Sequence, residues 1–246
     1  MTASIHITAQ PAVQYLLRLG EWCGHAPVLE EDIALTNMAL DLVGQSRALL
    51  THAARLDGQG FDEDQLAFLR DERDYLNVTM VELPRGDFAF TVLRNLMVAT
   101  LLKLLWLRMA ASSDSELAAI AGKAVKEARY HQQHAADWVV RLGDGTAESR
   151  QRSEAALRQL WLYVPEWFDT DAVDDAAHDS GLGPRWAEVR DAWSKDMTAV
   201  LDAAGLTAPA DAAFRSTGKR GRHSEHMGFI LSQMQHLQRS FPGGVW

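Results

Sequence analysis

Cysteine is almost absent from this sequence, which excludes the kinds of site that depend on thiols. The single cysteine, Cys23, cannot form an internal disulfide, and one thiol cannot supply the several ligands of a cysteine metal site. A chain with so little cysteine suits a reducing compartment, so we expect the protein to be cytoplasmic. The neighbouring Trp22 is apolar and predicts that Cys23 is buried rather than reactive.

An excess of positive charge and an uninterrupted apolar run are also lacking. The formal net charge is −9, which disfavours a broad nucleic-acid-binding face. The most apolar stretch, 88–111, is interrupted by Arg94, Lys103 and Arg108, whereas a membrane span needs about 20 apolar residues with few charges. We therefore predict neither nucleic acid nor membrane as a partner. The lack of Lys or Arg before Arg18 also predicts no targeting segment.

Several catalytic motifs are missing as well. The sequence contains neither the Gly-x-Ser-x-Gly of a nucleophile elbow nor the Gly-x-Gly-x-x-Gly of a dinucleotide-binding turn. Acyl transfer and dinucleotide binding therefore have little support. The alternation of polar and apolar residues that is typical of β-strands does not persist anywhere for long.

Helical signals, by contrast, recur from one end of the chain to the other. Capping residues, acidic first turns and terminal glycines mark the helix ends, as with Asp87 before the apolar stretch. These signals predict helices over about residues 11–23, 30–57, 62–83, 88–111, 113–143, 146–161, 184–205 and 224–240, with a loop at 169–183. Long helices joined by short turns pack as antiparallel neighbours. We therefore predict one all-α domain over residues 1–246.

One long helix carries part of a metal-binding motif and does not complete it. Carboxylate-bridged di-iron bundles use Glu-x-x-His on each of two helices, because side chains three residues apart project together toward the metals. Here Glu127 is followed three residues later by Tyr130, and the histidine, His131, comes one residue too late. None of the nine histidines has a glutamate three residues before it, and Asp175-x-x-His178 lies in a short polar stretch. The pattern indicates a bundle shaped like a di-iron oxygenase without its ligands.

Four polar positions are the candidates for a common centre in such a bundle: Glu21, Asp41, Glu127 and His131. A di-iron pair normally takes four carboxylates and two histidines, and the stretch 88–111 contains no Asp or Glu. The shortage favours pairing of these groups with one another or with basic side chains, namely Arg47, Lys123 and Arg129. The alternative hypothesis is an oxidoreductase with an atypical metal site built on Glu127, His131 and Asp41.

Two His-x-x-His pairs also fall within predicted helices or at their ends. They are His131 with His134, and His223 with His226. A zinc site needs three or four protein ligands, and the sequence offers no evident further partner for either pair. We therefore expect these histidines to lie at the surface or to cap helices.

A basic loop, residues 215–223, contrasts with the acidic chain around it. Its four cations are Arg215, Lys219, Arg220 and Arg222. Glycines that expose backbone N–H groups, followed by a helix, are typical of phosphate sites. A P-loop, however, would need glycine where Ala213 stands and Ser or Thr in place of Arg220. The alternatives are a solvated loop, an ion-paired contact with another protein, and a phosphate-binding site.

Six segments of the chain together carry a family resemblance. They are Arg18-Leu-Gly-Glu-Trp-Cys-Gly-His-Ala-Pro27, Leu40-Asp-Leu-Val-Gly-Gln-Ser-Arg47, Phe68-Leu-Arg-Asp-Glu-Arg73, Lys126-Glu-Ala-Arg-Tyr-His131, Thr217-Gly-Lys-Arg-Gly221 and Ser224-Glu-His-Met-Gly228. The chain resembles the PaaC family, the non-catalytic ferritin-like subunit of the multicomponent ring-1,2-phenylacetyl-CoA epoxidase. The resemblance extends from about Tyr15 to Trp246.

The resemblance implies a fold, a function and a set of partners. The fold is a ferritin-like four-helix bundle core with additional helices. A homologous di-iron subunit activates O₂ and epoxidises phenylacetyl-CoA, and a separate reductase with FAD and a 2Fe–2S cluster supplies electrons from NADPH. This chain would then hold no cofactor and no catalytic residue, and the basic loop is a candidate contact with a partner or with a phosphate of coenzyme A.

Overall fold

Helices account for all the regular structure in the computed structural model, which describes residues 15, 17–210 and 212–244. From residue 29 onward the α-helices are α1 (Leu29–Asp57), α2 (Glu63–Phe68), α3 (Phe88–Met109), α4 (Ser115–Gly143), α5 (Ala147–Trp161), α6 (Val164–Trp167), α7 (Ala172–Asp179), α8 (Arg190–Ala203), α9 (His226–Met234) and α10 (His236–Ser240). Short 3₁₀ turns occupy Glu72–Asp74, Thr79–Glu82, Trp186–Val189 and Gly218–Arg220. No β-strand occurs in these ranges. The all-α, ferritin-like class predicted from the sequence is confirmed.

Side-chain caps begin the long helices where the sequence predicted them. Asp87, Asp114 and Thr146 precede α3, α4 and α5, and each side-chain oxygen accepts the N–H of the residue three positions later, at 2.9, 2.9 and 3.1 Å. Such a cap satisfies an amide that the first helical turn leaves without a partner. At the other end of α1, Gly58 has a φ of +65°, which glycine adopts without strain and which ends the helix.

The first predicted helix is described only in its last part. Its predicted start at Pro11 lies outside the described residues, and residues 17–20 are helical before the chain turns at 21–25. Cys23 lies in that turn and is exposed, so the prediction that it is buried was wrong. Trp22 beside it is buried, because adjacent residues in a turn point to different sides of the backbone.

The helix predicted over 62–83 is much shorter than expected. It begins at the predicted capping box, in which Asp62 and Gln65 each accept the other's backbone N–H, at 2.7 and 3.0 Å. It ends at Phe68, and the rest of the segment runs through two 3₁₀ turns. The backbone N–H of Asp71 donates to the Asp74 carboxylate at 3.2 Å. Short polar side chains that bond to nearby backbone in this way compete with helix continuation.

Three other segments differ from the sequence prediction. The helix predicted over 184–205 begins at Arg190, after a 3₁₀ turn. The acidic stretch 169–183, predicted as a loop, contains helix α7, because Asp171 caps it and the acids that follow lie in its first turn, where they complement the helix dipole. The helix predicted over 224–240 is interrupted at Gln235, which separates α9 from α10.

The contacts of the chain group its residues into two compact units. The α1 unit comprises Leu29–Pro84 and the described residues of Met1–His25 and Ser216–Trp246, whereas the α3 unit comprises Ala26–Val28 and Arg85–Arg215. The α1 unit therefore combines segments from both ends of the chain. The expectation of one domain over residues 1–246 stays a prediction.

Helix α3 is the core of its unit. Seventeen of its 22 residues are buried, and it packs against α4, α5 and α8. A helix that is apolar all round is buried on every side. By length and composition α3 could cross a membrane, yet 83% of its most apolar window is buried inside the protein. That is the burial of a core helix, as the three interrupting cations had indicated.

Candidate functional site

The basic loop is held against the segment that follows α2 by two glycines. The backbone N–H of Gly218 donates to the Thr79 hydroxyl at 3.1 Å, and a Cβ at Gly218 would collide with the Asn77 carbonyl oxygen. Gly221 has a φ of +70°, and a Cβ there would lie 2.5 Å from the Arg73 carbonyl oxygen. These glycines therefore allow two stretches of backbone to approach closely, which is a structural role.

Three successive backbone N–H groups of the loop already have acceptors within it. The N–H groups of Arg220 and Arg222 donate to the Thr217 carbonyl at 3.0 and 3.3 Å, and that of Gly221 donates to the Gly218 carbonyl at 3.0 Å. A phosphate cradle needs several such groups pointing at the ligand. The loop thus lacks the converging backbone donors that its glycines had indicated.

The four cations predicted as a cluster differ in position. Lys219 is only 5% exposed, whereas Arg220 and Arg222 are exposed on the α1 unit. Arg215 belongs to the α3 unit, where its guanidinium donates to the carbonyl oxygens of Ala212 and Phe214 at 2.7 and 2.8 Å. The exposed cations of the loop within the α1 unit are therefore two arginines.

Beneath the loop lies a buried carboxylate, Glu82, that the sequence did not single out. Its oxygens accept hydrogen bonds from Asn77 Nδ2 at 2.8 Å and from the backbone N–H and hydroxyl of Ser224 at 2.8 and 2.7 Å. His223 Nδ1 lies 2.7 Å from the same carboxylate, and Arg18 donates to the Glu82 backbone carbonyl at 2.6 Å. A buried acid is tolerated only when its oxygens are satisfied in this way.

His223 is the counter-ion of Glu82. Its second ring nitrogen, Nε2, lies 2.9 Å from the Tyr75 carbonyl oxygen. Because a carboxylate and a carbonyl are both acceptors, each nitrogen carries a proton and the ring is an imidazolium. Burial lowers the pKa of His223, but the hydrogen bond and charge of Glu82, with the Tyr75 carbonyl, outweigh burial and raise that pKa. The two side chains form a buried ion pair.

A second buried contact joins the same two segments. The Tyr75 hydroxyl donates to the Ala67 carbonyl at 2.7 Å and accepts from Gln235 Nε2 at 3.1 Å. Burial raises the pKa of Tyr75 to about 12. Gln235 also donates to the Arg70 carbonyl at 2.7 Å, and it stands at the break between α9 and α10. The side-chain amide of Gln235, at this break, therefore connects the C-terminal helices to the segment after α2 through hydrogen bonds.

Neither His-x-x-His pair forms a metal site among the described residues. The expectation that these histidines lie at the surface or cap helices was wrong for His131, which is 3% exposed, and for His223, whose side chain is buried. His223 is engaged by Glu82, while His226 is partly exposed and its Nε2 lies 4.0 Å from Glu225. A usable signal was present: Glu82 is the only charged residue between Asn77 and Arg85. A lone acid in an apolar stretch predicts a buried counter-ion, although it does not say which cation supplies it.

The four candidate metal positions are divided between the two units. Glu21 and Asp41 belong to the α1 unit, and Glu127 and His131 belong to the α3 unit. Glu127 Oε1 lies 3.5 Å from Nζ of Lys123, which is one of the partners proposed from the sequence. Arg47, another of those partners, pairs instead with Glu63 at 3.0 Å, and Glu21 pairs with Arg18 at 2.5 Å.

The donor set does not fit a di-iron centre. Across 15, 17–210 and 212–244, no three His, Cys, Asp or Glu side chains lie together as metal ligands would. Within the α3 unit, a partly buried polar contact of α3 is an ion pair: Lys103 pairs with Asp196 at 2.5 Å, and Gln132 donates to the same carboxylate at 3.3 Å. A di-iron pair takes four carboxylates and two histidines, so no catalytic step can be derived from these residues.

The similarity of this chain to known proteins extends over both of its compact units. A family model described as phenylacetic acid catabolic protein matches residues 2–246. The C subunit of the 1,2-phenylacetyl-CoA epoxidase of Escherichia coli (strain K12) is 46% identical over 229 residues, which are 93% of this chain and 92% of that protein. The family resemblance identified in the sequence is thereby confirmed. The chain belongs to the phenylacetic acid catabolic protein family.

Proposed function

We propose that this chain is the non-catalytic, structural subunit of a phenylacetyl-CoA epoxidase in aerobic phenylacetate degradation. The observation that carries the proposal is the 46% identity to the epoxidase subunit of Escherichia coli, which extends over 93% of this chain and 92% of the relative. Similarity at this level over both units favours the same place in the same kind of complex.

The side chains at the candidate metal positions support a structural role. A bridging carboxylate must face two metals, but Glu127 is paired with Lys123 on the same helix. Tyr130, which occupies the position where the motif requires histidine, is exposed. The described donors therefore offer neither the bridging acids nor the paired imidazoles of a di-iron site.

In this proposal the chemistry belongs to other subunits. A homologous subunit holds the di-iron centre that uses O₂ to epoxidise phenylacetyl-CoA, and a reductase with FAD and a 2Fe–2S cluster draws electrons from NADPH. This chain holds no cofactor, works in the cytoplasm and supports the catalytic subunit through protein contacts. These assignments follow from the family resemblance, with which the donor set agrees.

Elemental analysis of the purified chain after iron-replete expression tests the non-catalytic role. We expect no stoichiometric iron, because the donor set is incomplete, and the catalytic subunit purified in the same way serves as the positive control. In the reconstituted complex, Glu127→Gln should leave turnover close to that of the wild type.

The opposite results would favour the alternative oxidoreductase built on Glu127, His131 and Asp41. About two irons per chain, the content of a di-iron site, would contradict the proposal. A large fall in turnover of Glu127→Gln with assembly intact would contradict it equally.

A further inference from the structure

Helix α1 has two apolar faces, and only one of them is buried. The buried face contains a stripe of five apolar residues: Leu35, Met38, Leu42, Leu49 and Ala53. The opposite face exposes four large apolar side chains, namely Leu29 (72%), Ile33 (53%), Leu40 (61%) and Val43 (42%). At about 100° of rotation per residue, these four fall within an arc of about 80°. Scattered exposed leucines need no explanation, but an aligned set of this kind marks an interaction surface.

The exposed stripe is shaped to receive another helix. Gly44 lies at its edge, and no heavy atom stands within 4 Å of where a Cβ would be. A small residue beside an apolar stripe allows a second helix backbone to approach closely. The spacing of three, four and seven residues between the exposed side chains is that of a helix-packing face.

At its C-terminal end the stripe opens into an apolar pocket between α1 and α2. Val43 belongs to both, since it is part of the stripe and lines the pocket, with Leu50, Phe68 and Met234 among the other lining residues. The pocket has a volume of about 170 Å³. An engineered apolar cavity of about 150 Å³ holds one benzene molecule. The pocket therefore has room for one large aliphatic or aromatic side chain.

The exposed charge around the stripe is mostly negative. Of the four carboxylates in residues 29–46, Glu31 is buried, whereas Glu30 is exposed and Asp32 and Asp41 are partly exposed. Arg47, an exposed cation, lies on the same arc of the helix as the stripe. Next to the pocket, α2 contributes Asp64, together with Glu63, which is paired with Arg47. Complementary charge across an interface favours association, so this mostly acidic surface attracts a partner with basic flanks.

We infer that this surface docks an amphipathic helix from another subunit of the epoxidase complex. We call it the α1 face, formed by Leu29, Ile33, Leu40, Val43 and the adjoining pocket. The partner helix lays an apolar stripe along it, inserts one large apolar side chain into the pocket and carries Lys or Arg on its flanks. The inference rests on the proposed function, since it names the part of this subunit that enters the complex.

The test measures binding of the other oxygenase subunits to the full chain by size-exclusion chromatography and by the dissociation constant. Leu40→Glu should weaken binding at least about 30-fold, the effect that defines a central interface residue. The matched control is Leu107→Glu, because Leu107 is an exposed leucine of α3 in the other unit. It should bind like the wild type. Circular dichroism and thermal unfolding check that both variants fold, and Val43→Asp provides a second variant at the mouth of the pocket.

The possible outcomes distinguish the inference about the α1 face from the proposed function of the chain. Loss of binding in Leu40→Glu and Val43→Asp, with Leu107→Glu intact, supports the α1 face. Unchanged binding in the α1 variants overturns the inference and leaves the proposed function standing. Conversion of a homodimer to a monomer by Leu40→Glu, with the mixed complex intact, also overturns it, because the occupant is then a second copy. Failure of the wild type to bind any subunit overturns both proposals.

Discussion

At the scale of single residues, Glu82 and His223 show how a buried charge is retained in this protein. Both side chains have 0% exposed surface and lie 2.7 Å apart, so neither is compensated by water. Removal of one partner from a buried pair typically costs about 3–5 kcal/mol, because the other charge stays buried alone. The pair therefore holds the segment before Pro84 against the end of the basic loop, which precedes α9.

We expect His223→Gln to lower the free energy of unfolding by about 3–5 kcal/mol near pH 6. Glutamine can still donate a hydrogen bond, but it brings no charge to Glu82. The control is His226→Gln, three residues later and partly exposed, for which the loss should stay below about 0.5 kcal/mol. Urea unfolding followed by circular dichroism measures both, and equal losses would contradict a specific role for the buried pair.

The same pair gives the stability a defined dependence on pH. An unfolded histidine has a pKa near 6.5, and the folded pKa of His223 is raised above it. The stabilisation is therefore complete below about pH 6.5 and is lost as the pH rises through the raised pKa. The difference in stability between the wild type and His223→Gln should shrink as the pH rises above about 6.5. A difference that stays constant over this range would show that the imidazolium is not the stabilising form.

At the scale of the element, the basic loop combines a fixed backbone with two exposed charges. The N–H groups of Gly218, Arg220, Gly221 and Arg222 bond within the chain. Lys219 is buried, which leaves Arg220 and Arg222 as the exposed cations of the loop in the α1 unit. Exposed arginines without converging backbone donors suit contact with acidic groups of a partner better than a phosphate cradle.

We therefore expect Arg220→Ala combined with Arg222→Ala to weaken assembly with the other subunits about twofold to 30-fold. Each exposed charge contact contributes about 0.2–1 kcal/mol, so the two must be changed together. The KM for phenylacetyl-CoA in the assembled complex should not change. The control is Arg158→Ala on α5, where another exposed arginine is removed.

The reverse pattern would assign the loop to the substrate. A raised KM with unchanged kcat and intact assembly is the signature of lost uniform binding, and it would indicate contact with a phosphate of coenzyme A. Wild-type values of both KM and assembly would show that the loop is only solvated.

Elements also differ in how well the sequence predicts them. The starts of α3, α4 and α5 were predicted because Asp87, Asp114 and Thr146 bond to amides three residues away. The conformation of segment 69–83 was not predicted, because it depends on contacts with residues of the basic loop more than 130 positions later. Local capping signals carry no information about such partners.

At the scale of the whole molecule, a subunit with an exposed apolar face should be stabilised by its partner. A ligand at 100 times its dissociation constant adds about 2.7 kcal/mol to the free energy of unfolding. For a chain of this size that corresponds to a rise in Tm of roughly 5–10 °C. We expect such a rise when the catalytic subunit is added at micromolar concentration, as measured by differential scanning fluorimetry.

An equal mass of serum albumin controls for crowding, which acts only weakly. Elution of the two subunits as separate species at micromolar concentration, with an unchanged Tm, would argue against an obligate complex.

The sequence by itself determined the helical class, the ends of the long helices, the core burial of α3 and the family. These depend on periodicity and capping, which act over a few residues, and on motifs in a fixed order. Only the tertiary structure decided that Cys23 is exposed, that Lys219 is buried and that Glu82 pairs with His223. The last two residues are 141 positions apart, and the apolar face of α1 that stays exposed is identified only once the rest of the chain is packed. Burial and long-range pairing are properties of the packed chain, so no local pattern could have specified them.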